Sequence, residues 1–221
     1  MNNPAPSSPF PRPSQTEVDA FADAAGRGDQ AAVIKFLDKF PAAVDRKDND
    51  SMTALRYAAR NGRDAMAKLL LERGAAADLK SFSGWTALME AVRGGNKSTV
   101  ELLIEHGADI NDNDNYGMTI LILAAWCGGK DTVGLLLERG ADIDKRDVLG
   151  RTAQSCAEQR HATDIVALLE QWPEILKQRQ ADKERQADKE RERYLRQTDF
   201  SHGLEKSIPK PRPFKVSKPK P

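Results

Sequence analysis

Along most of the chain, apolar residues recur in a pattern that repeats as a block every 33 residues. Each block begins with a threonine followed by apolar positions, in the segments "SMTALRYA", "GWTALMEA", "GMTILILA" and "GRTAQSCA". These threonines are Thr53, Thr86, Thr119 and Thr152. A second apolar cluster follows in each block at i, i+3 and i+4 spacing, as in "AMAKLLL" and "STVELLI", and this spacing predicts the buried face of a helix. The pattern therefore predicts a repeated pair of short helices.

The ends of these helices also have local signals. Threonine is a good N-cap because its hydroxyl accepts hydrogen bonds from the open N–H groups of the first turn. Glycines stand between and after the predicted helices, at Gly62, Gly95 and Gly128 and at Gly74, Gly107 and Gly140. Glycine adopts the left-handed conformation that ends a helix and starts a turn. One such pair cannot bury its apolar face alone, so the copies are expected to stack into a continuous core.

The repeated block resembles the ankyrin repeat, whose period is about 33 residues and whose helix start reads T-P-L-H. The segments "GADIN" at 107–111 and "GADID" at 140–144 share in the resemblance, which covers roughly residues 19–171. It implies an all-α solenoid of stacked helix–turn–helix units with extended, β-hairpin-like loops. The chain departs from the family pattern at the T-P-L-H histidine, where it has Arg56, Met89, Ile122 and Ser155. Ser51 also replaces a loop glycine, and His161 replaces the last inter-helix glycine.

The sequence predicts four regions. The first is a disordered, Pro- and Ser-rich N-terminus at 1–16. The second is a repeat domain at 17–173, with units at 17–48, 49–81, 82–114, 115–147 and 148–173. The third is a charged single helix at 174–196, and the fourth is a disordered, basic, Pro-rich tail at 197–221. The first and last units differ from the others, as expected for units that show one face to water.

The resemblance implies that the chain is a non-enzymatic adaptor or scaffold, which binds a partner protein through its loop fingers and the outward positions of each first helix. Those positions are rich in Trp, Tyr and Arg, the residue types that dominate interface hot spots. The predicted partner-binding residues are Met52, Arg60, Phe82, Trp85, Arg93, Tyr116, Met118, Trp126, Leu149, Arg151 and Arg160. Trp85 and Trp126 are the strongest candidates, with Arg60 and Arg93 beside them. In an alternative interpretation, the aromatic rings pack on adjacent fingers and stiffen the array.

Catalytic and cofactor chemistry find little support in the residues. The three histidines, His106, His161 and His202, have no metal-ligand spacing, so no metal is expected. The segments "RGGNKST" and "CGGKDT" lack the order of a phosphate-binding loop. Cys127 has no basic neighbour in the pattern and is expected to be unreactive. We therefore expect no catalytic residues and no cofactor.

Charge changes the picture at the C-terminus. The chain carries 20 Lys+Arg and 25 Asp+Glu through Pro173, a net of −5, and 14 and 8 from Glu174 onward, a net of +6. The segment "KSIPKPRPFKVSKPKP" has six basic and no acidic residues. This composition is compatible with three uses. The segment could be a proline-rich ligand for another protein, it could make weak contacts with nucleic acid or anionic lipid, or it could simply be solvated. A rival hypothesis is therefore that this tail drives binding and the repeats are secondary.

The sequence lacks the features that are typical of membrane-spanning and secreted proteins. No apolar run reaches about 18 residues, so no transmembrane helix is expected. The N-terminus lacks the pattern of a cleavable signal, and the two cysteines do not suggest a disulfide framework. We expect a monomeric, cytoplasmic protein, with export that needs no cleavable signal as the alternative.

Overall fold

A computed structural model describes residues 11–198 of the chain, and their side chains as far as Tyr194. Contacts divide the chain into Met1–Pro173 and Glu174–Pro221. Within the described residues the chain forms ten α-helices and one short 3-10 helix at Pro41–Ala43. The α-helices are α1 (Gln15–Arg27), α2 (Gln30–Lys39), α3 (Ala54–Arg60), α4 (Asp64–Glu72), α5 (Ala87–Arg93), α6 (Lys97–Glu105), α7 (Ile120–Cys127), α8 (Lys130–Glu138), α9 (Ala153–Gln159) and α10 (Thr163–Thr198).

The repeated threonines start the first helix of each unit, as their spacing predicts. The hydroxyls of Thr53, Thr86, Thr119 and Thr152 each accept a hydrogen bond from the backbone N–H three residues later. Each threonine is extended while the next residue is helical, which is the geometry of an N-cap. These caps fix where the short helices begin.

Stacking of the units builds the core. The first helices pack in the order α1, α3, α5, α7 and α9, and among the second helices α6 packs against both α4 and α8. Small residues allow close approach: Ala58, Ala91 and Ala125 are fully buried. A Cβ atom on Gly94 would lie 2.3 Å from the Arg60 carbonyl oxygen of the preceding unit. The all-α repeat solenoid is confirmed.

Polar bonds at the 33-residue period also join the first four units in succession. Three side chains each accept from a backbone N–H of the following unit, in the pairs Asp45 with Ala76, Asp78 with Asp109, and Asn111 with Asp142. Because the donors lie in the loops that follow the second helices, these bonds hold the loops of adjacent units together. The stack is therefore fixed by directional bonds as well as by apolar contact.

Two residues that replace family glycines keep the glycine conformation. Ser51 and His161 have φ of 58° and 57°, whereas Gly84 and Gly128 at equivalent positions of other units have φ of 85° and 80°. The left-handed region costs an ordinary L-residue about 1–2 kcal/mol. The stack therefore imposes the same turn even where the sequence does not favour it.

Helix α10 begins in the unit that ends at Pro173 and continues into the C-terminal unit. Ile165, Leu169 and Trp172, from the start of this helix, are buried in the repeat domain. From Glu174 to Tyr194 the side chains are nearly all exposed, and short-range pairs such as Arg185–Asp182 at 3.8 Å are weak. Residues 1–10 of the N-terminal segment and 199–221 of the basic tail, both predicted to be disordered, lie outside the described residues; α1 begins at Gln15, inside the predicted N-terminal segment.

A buried ion pair joins the second unit to the third. Arg56 Nη2 lies 2.7 Å from Glu90 Oε1, and each side chain is only 4% exposed. Arg56 Nη1 also donates to the Ser51 carbonyl at 3.1 Å. Arg56 Nε and Glu90 Oε2 have no hydrogen-bond partner within the described part of the chain. The pair is therefore incompletely satisfied, and each partner depends on the other.

We predict strong coupling between these two residues. Replacing Glu90 alone with Leu leaves a buried guanidinium without its carboxylate, and should lower the free energy of unfolding by about 3–5 kcal/mol. Adding Arg56→Met should restore most of that loss, because both buried charges are then absent. The coupling is measured by urea unfolding, followed by circular dichroism, of the unsubstituted chain, the two single variants Glu90→Leu and Arg56→Met, and the double variant. Simple additivity of the two single effects would contradict this account.

Candidate partner-binding surface

Each finger loop is a tight turn closed by one polar side chain. In the finger before α7, Asp114 N donates to the Met118 carbonyl and Gly117 N donates to the Asp114 carbonyl. Asp114 Oδ1 accepts from both Tyr116 N and Met118 N at 2.9 Å. Asp48 and Asp147 do the same in the fingers before α3 and α9, and the Ser81 hydroxyl accepts from Trp85 N in the finger before α5. The finger shape is therefore set by the residue five before each threonine.

The second oxygen of each finger aspartate binds a side chain at the surface. Asp48 Oδ2 accepts from the Tyr57 hydroxyl at 2.8 Å; burial first, and this bond second, raise the pKa of Tyr57 to about 12. Asp114 Oδ2 accepts from Trp85 Nε1 of the preceding finger at 3.3 Å. Asp147 Oδ2 accepts from Arg151 Nε at 2.7 Å. The aspartates thus shape the fingers and also position the residues above them.

Neighbouring fingers are hydrogen-bonded to one another. Asn115 N donates to the Ser83 carbonyl at 3.1 Å, and its side-chain amide donates to the Phe82 carbonyl at 2.7 Å. Val148 N donates to the Tyr116 carbonyl at 2.9 Å. These bonds hold the tips of the third, fourth and fifth fingers in a row.

Large apolar side chains project from this row. Phe82 is 87% exposed, Tyr116 66% and Leu149 72%, although residues of these types are ordinarily covered. Trp126, in the last turn of α7, is 38% exposed beside them. With the arginines described next, they form what we call the aromatic–arginine strip: Phe82, Trp85, Arg93, Tyr116, Trp126, Leu149, Arg151 and Arg160.

Three arginines of the strip lie over the tryptophan rings. The Arg93 guanidinium carbon is 5.5 Å from the Trp85 ring centre. Arg160 and Arg151 lie 5.3 Å and 5.9 Å from the Trp126 ring centre. Contacts of this length are attractive by about 0.5–1 kcal/mol at exposed sites. The structure therefore brings the predicted tryptophans and arginines together in two stacks.

The remaining predicted residues are placed differently. Met52 is only 8% exposed and offers little surface to a partner. Met118 is half-buried and Arg60 is exposed, at the end of α3. Trp85 is half-buried and donates a hydrogen bond to Asp114. This bond agrees with the alternative interpretation, in which the aromatic rings contact adjacent fingers and stiffen the array.

Cys127 corrects one sequence-based expectation. We expected this thiol to lack basic neighbours, but Arg93 and Arg160 lie close enough to influence it. Burial raises the pKa of the thiol, and the two guanidinium groups lower it without cancelling that increase. The thiol is therefore poorly ionised at neutral pH. Because the thiolate is the reactive form of cysteine, Cys127 is expected to be unreactive.

Over residues 11–194, no group of His, Cys, Asp and Glu is placed to hold a metal ion. No helix in the described part of the chain is long and apolar enough to cross a membrane.

Comparison with protein families agrees with the fold. The helix pairs, capped turns and hydrogen-bonded fingers define a helical repeat protein of the kind that generally mediates protein–protein interactions. Models described as "Ankyrin repeats (many copies)" and "Ankyrin repeats (3 copies)" match residues 20–91 and 73–147, which together span more than half of the chain. The chain therefore belongs to the ankyrin repeat family. A comparison with curated proteins finds no match.

Sequence reasoning missed the residues that shape the fingers. Asp48, Ser81, Asp114 and Asp147 are spaced by 33 residues, the same period as the threonines. The signal was therefore present in the sequence. An aspartate in a loop is easily taken as a solvated charge, and only the fold shows that Asp114 and Asp147 are buried beneath the finger.

We predict that Asp147 makes the repeat domain sensitive to acid. Burial raises the pKa of this carboxyl, but hydrogen bonds from Arg151 and from Leu149 N outweigh it and hold the pKa below its usual range. The stabilisation is therefore present above the ordinary aspartate pKa of about 3.9 and is lost as pH falls through the lower folded-state pKa. Asp147→Asn should cost about 2 kcal/mol at pH 7, and this cost should shrink toward pH 3.

Urea unfolding between pH 7 and pH 3 measures this difference. Asp144→Asn, at an exposed aspartate three residues earlier, is the matched control and should leave stability nearly unchanged. A cost for Asp147→Asn that stays constant over the whole pH range would show that the carboxylate charge is unimportant.

Proposed function

We propose that this protein is a non-enzymatic adaptor that binds a partner protein through the aromatic–arginine strip. Ankyrin repeats are typically non-enzymatic interaction modules, which supports the general role. The observation that carries the proposal for this chain is the row of exposed apolar side chains Phe82, Tyr116 and Leu149 on hydrogen-bonded fingers. Exposed apolar residues grouped in this way usually mark an interaction site.

The rigidity of the strip supports the same role. The fingers are fixed by backbone bonds and the tryptophans by their arginines, so binding would order few additional groups. A preorganised surface loses less entropy on binding and is expected to keep its backbone conformation.

The basic tail is the competing binding element. Its six basic residues would give an attraction to nucleic acid or anionic lipid that falls steeply with salt. Binding through the aromatic–arginine strip would fall less, because apolar contact is not screened. Salt dependence therefore separates the two modes.

We predict that the fingertips, and not the tail, determine capture of protein partners. The full chain carrying Phe82→Ser, Tyr116→Ser and Leu149→Ser should lose partner binding by about tenfold or more. The fold should be unaffected, because these side chains are exposed. Capture from a lysate of the source organism, quantified by mass spectrometry, gives the measurement.

Two further variants make the result interpretable. Leu176→Ser with Tyr194→Ser removes exposed apolar side chains from the C-terminal helix and should leave capture unchanged. A full chain with Gln at the tail positions Lys206, Lys210, Arg212, Lys215, Lys218 and Lys220 tests the tail. If this neutral tail abolishes capture while the fingertip variant retains it, the tail is the binding element and our proposal fails.

A further inference from the structure

The aromatic–arginine strip also has a distinctive charge. Its charged members are Arg93, Arg151 and Arg160, and it contains no acidic residue, although the chain through Pro173 has a net charge of −5. Of the two nearby finger aspartates, Asp147 offsets the charge of Arg151, with which it forms an ion pair, and Asp114 accepts its hydrogen bonds from neutral donors. Asp114 and Asp147 are 5% and 7% exposed, and their oxygens already accept hydrogen bonds from the fingers. The strip is thus a positive region on an acidic body.

Two of these arginines have no carboxylate partner. Arg151 forms an ion pair with Asp147 at 2.7 Å, but neither Arg93 nor Arg160 has a carboxylate within ion-pair distance among the described side chains. Both are held over indole rings, so their N–H groups remain available at the ring edges. Arg93 ends α5 and Arg160 directly follows α9, and these are the two first helices that pack against α7.

A groove continues the positive charge beside the strip. It lies between the turns that follow α5 and α7, has a volume of about 510 Å³, and is lined by Arg93, Lys97 and Lys130 with one acidic residue, Asp131. A ligand that lay along the strip and into this groove would meet an excess of cations.

We propose that the aromatic–arginine strip recognises an extended acidic peptide in which carboxylates flank apolar side chains. This inference rests on the proposed function and specifies its partner. Carboxylates would pair with Arg93 and Arg160, because a planar guanidinium can bind a carboxylate through two parallel hydrogen bonds. The apolar side chains between them would cover Trp126 and the exposed fingertips.

The dimensions of the strip set the length of the segment. The strip spans three units, and packed helices lie about 8–10 Å apart, so two steps make roughly 20 Å. An extended chain advances about 3.3 Å per residue, which corresponds to about six residues. The partner segment is therefore short.

Other occupants fit less well. The chain's own basic tail would be repelled by the arginines. Nucleic acid uses free aromatic faces as stacking platforms, but guanidinium groups already lie over both tryptophan rings, which leaves only the rings of Phe82 and Tyr116 exposed in the strip.

The experiment selects peptides without assuming a partner. A random dodecapeptide library is displayed and sorted against the immobilised full chain. Selected peptides should contain Asp and Glu at least twice as often as the input library, together with apolar residues. A consensus peptide is then synthesised with a fluorescent label, and its Kd is measured by anisotropy.

Charge reversal on the strip tests the contact itself. Arg93→Glu with Arg160→Glu should weaken binding of the consensus peptide at least tenfold. Lys68→Glu with Lys35→Glu, at exposed positions of α4 and α2 away from the strip, makes the same change in net charge and should alter Kd less than twofold. Circular dichroism verifies that each variant is folded.

The outcomes separate this inference from the proposed function. If the selected peptides are not acidic, but the fingertip variant abolishes their binding, the adaptor function survives and the acidic specificity is wrong. If no selected peptide depends on the strip, both fail. Tighter binding of eight-nucleotide oligouridine, or a dimer of the free chain that charge reversal disrupts, would replace the peptide with another occupant and overturn the inference.

Discussion

The packing of one helix pair against the next is the interaction on which the rest of this structure depends. The first helices α3, α5 and α9 are only seven residues long, and isolated helices of that length are not stable in water. Alanines and Gly94 bring neighbouring units close enough to bury a shared core, and polar bonds with the same period fix their relative position. Each finger is therefore held in place by the unit beside it.

Local signals made much of this fold predictable. Threonine caps and glycine turns act within a few residues, so they predicted where the helices start and turn. Contacts between units were harder to foresee. Arg56 and Glu90 are 34 residues apart, and nothing in either local segment indicates that they form a buried pair. Met52 and Trp85 show the same limit for the surface: the period assigns both to outward positions, but packing buries Met52 and hydrogen-bonds Trp85 to the next finger.

The aromatic–arginine strip combines structural and recognition roles in the same residues. Trp85 connects the finger before α5 to the finger before α7 through Asp114, and Arg151 connects Asp147 to Trp126. Among the described side chains, those of the exposed fingertips Phe82, Tyr116 and Leu149 form no comparable bond. A surface of this kind can vary its outermost side chains, and so its partner, while the aspartates beneath preserve the finger geometry. We regard this division as the physical basis for an adaptor built on repeats.

Amide hydrogen exchange at the finger-to-finger bonds tests the central claim most directly, namely that stacking holds the fingers in one rigid row. Asn115 N and Val148 N donate to carbonyls of the preceding finger, and Phe82 N, which donates no hydrogen bond within the described part of the chain, lies near the same tips as a less constrained reference. The account predicts that Asn115 and Val148 exchange at least a hundredfold more slowly than the unfolded chain, because opening requires adjacent units to separate. Exchange at the unfolded-chain rate would show that the fingers move independently, which would contradict the account.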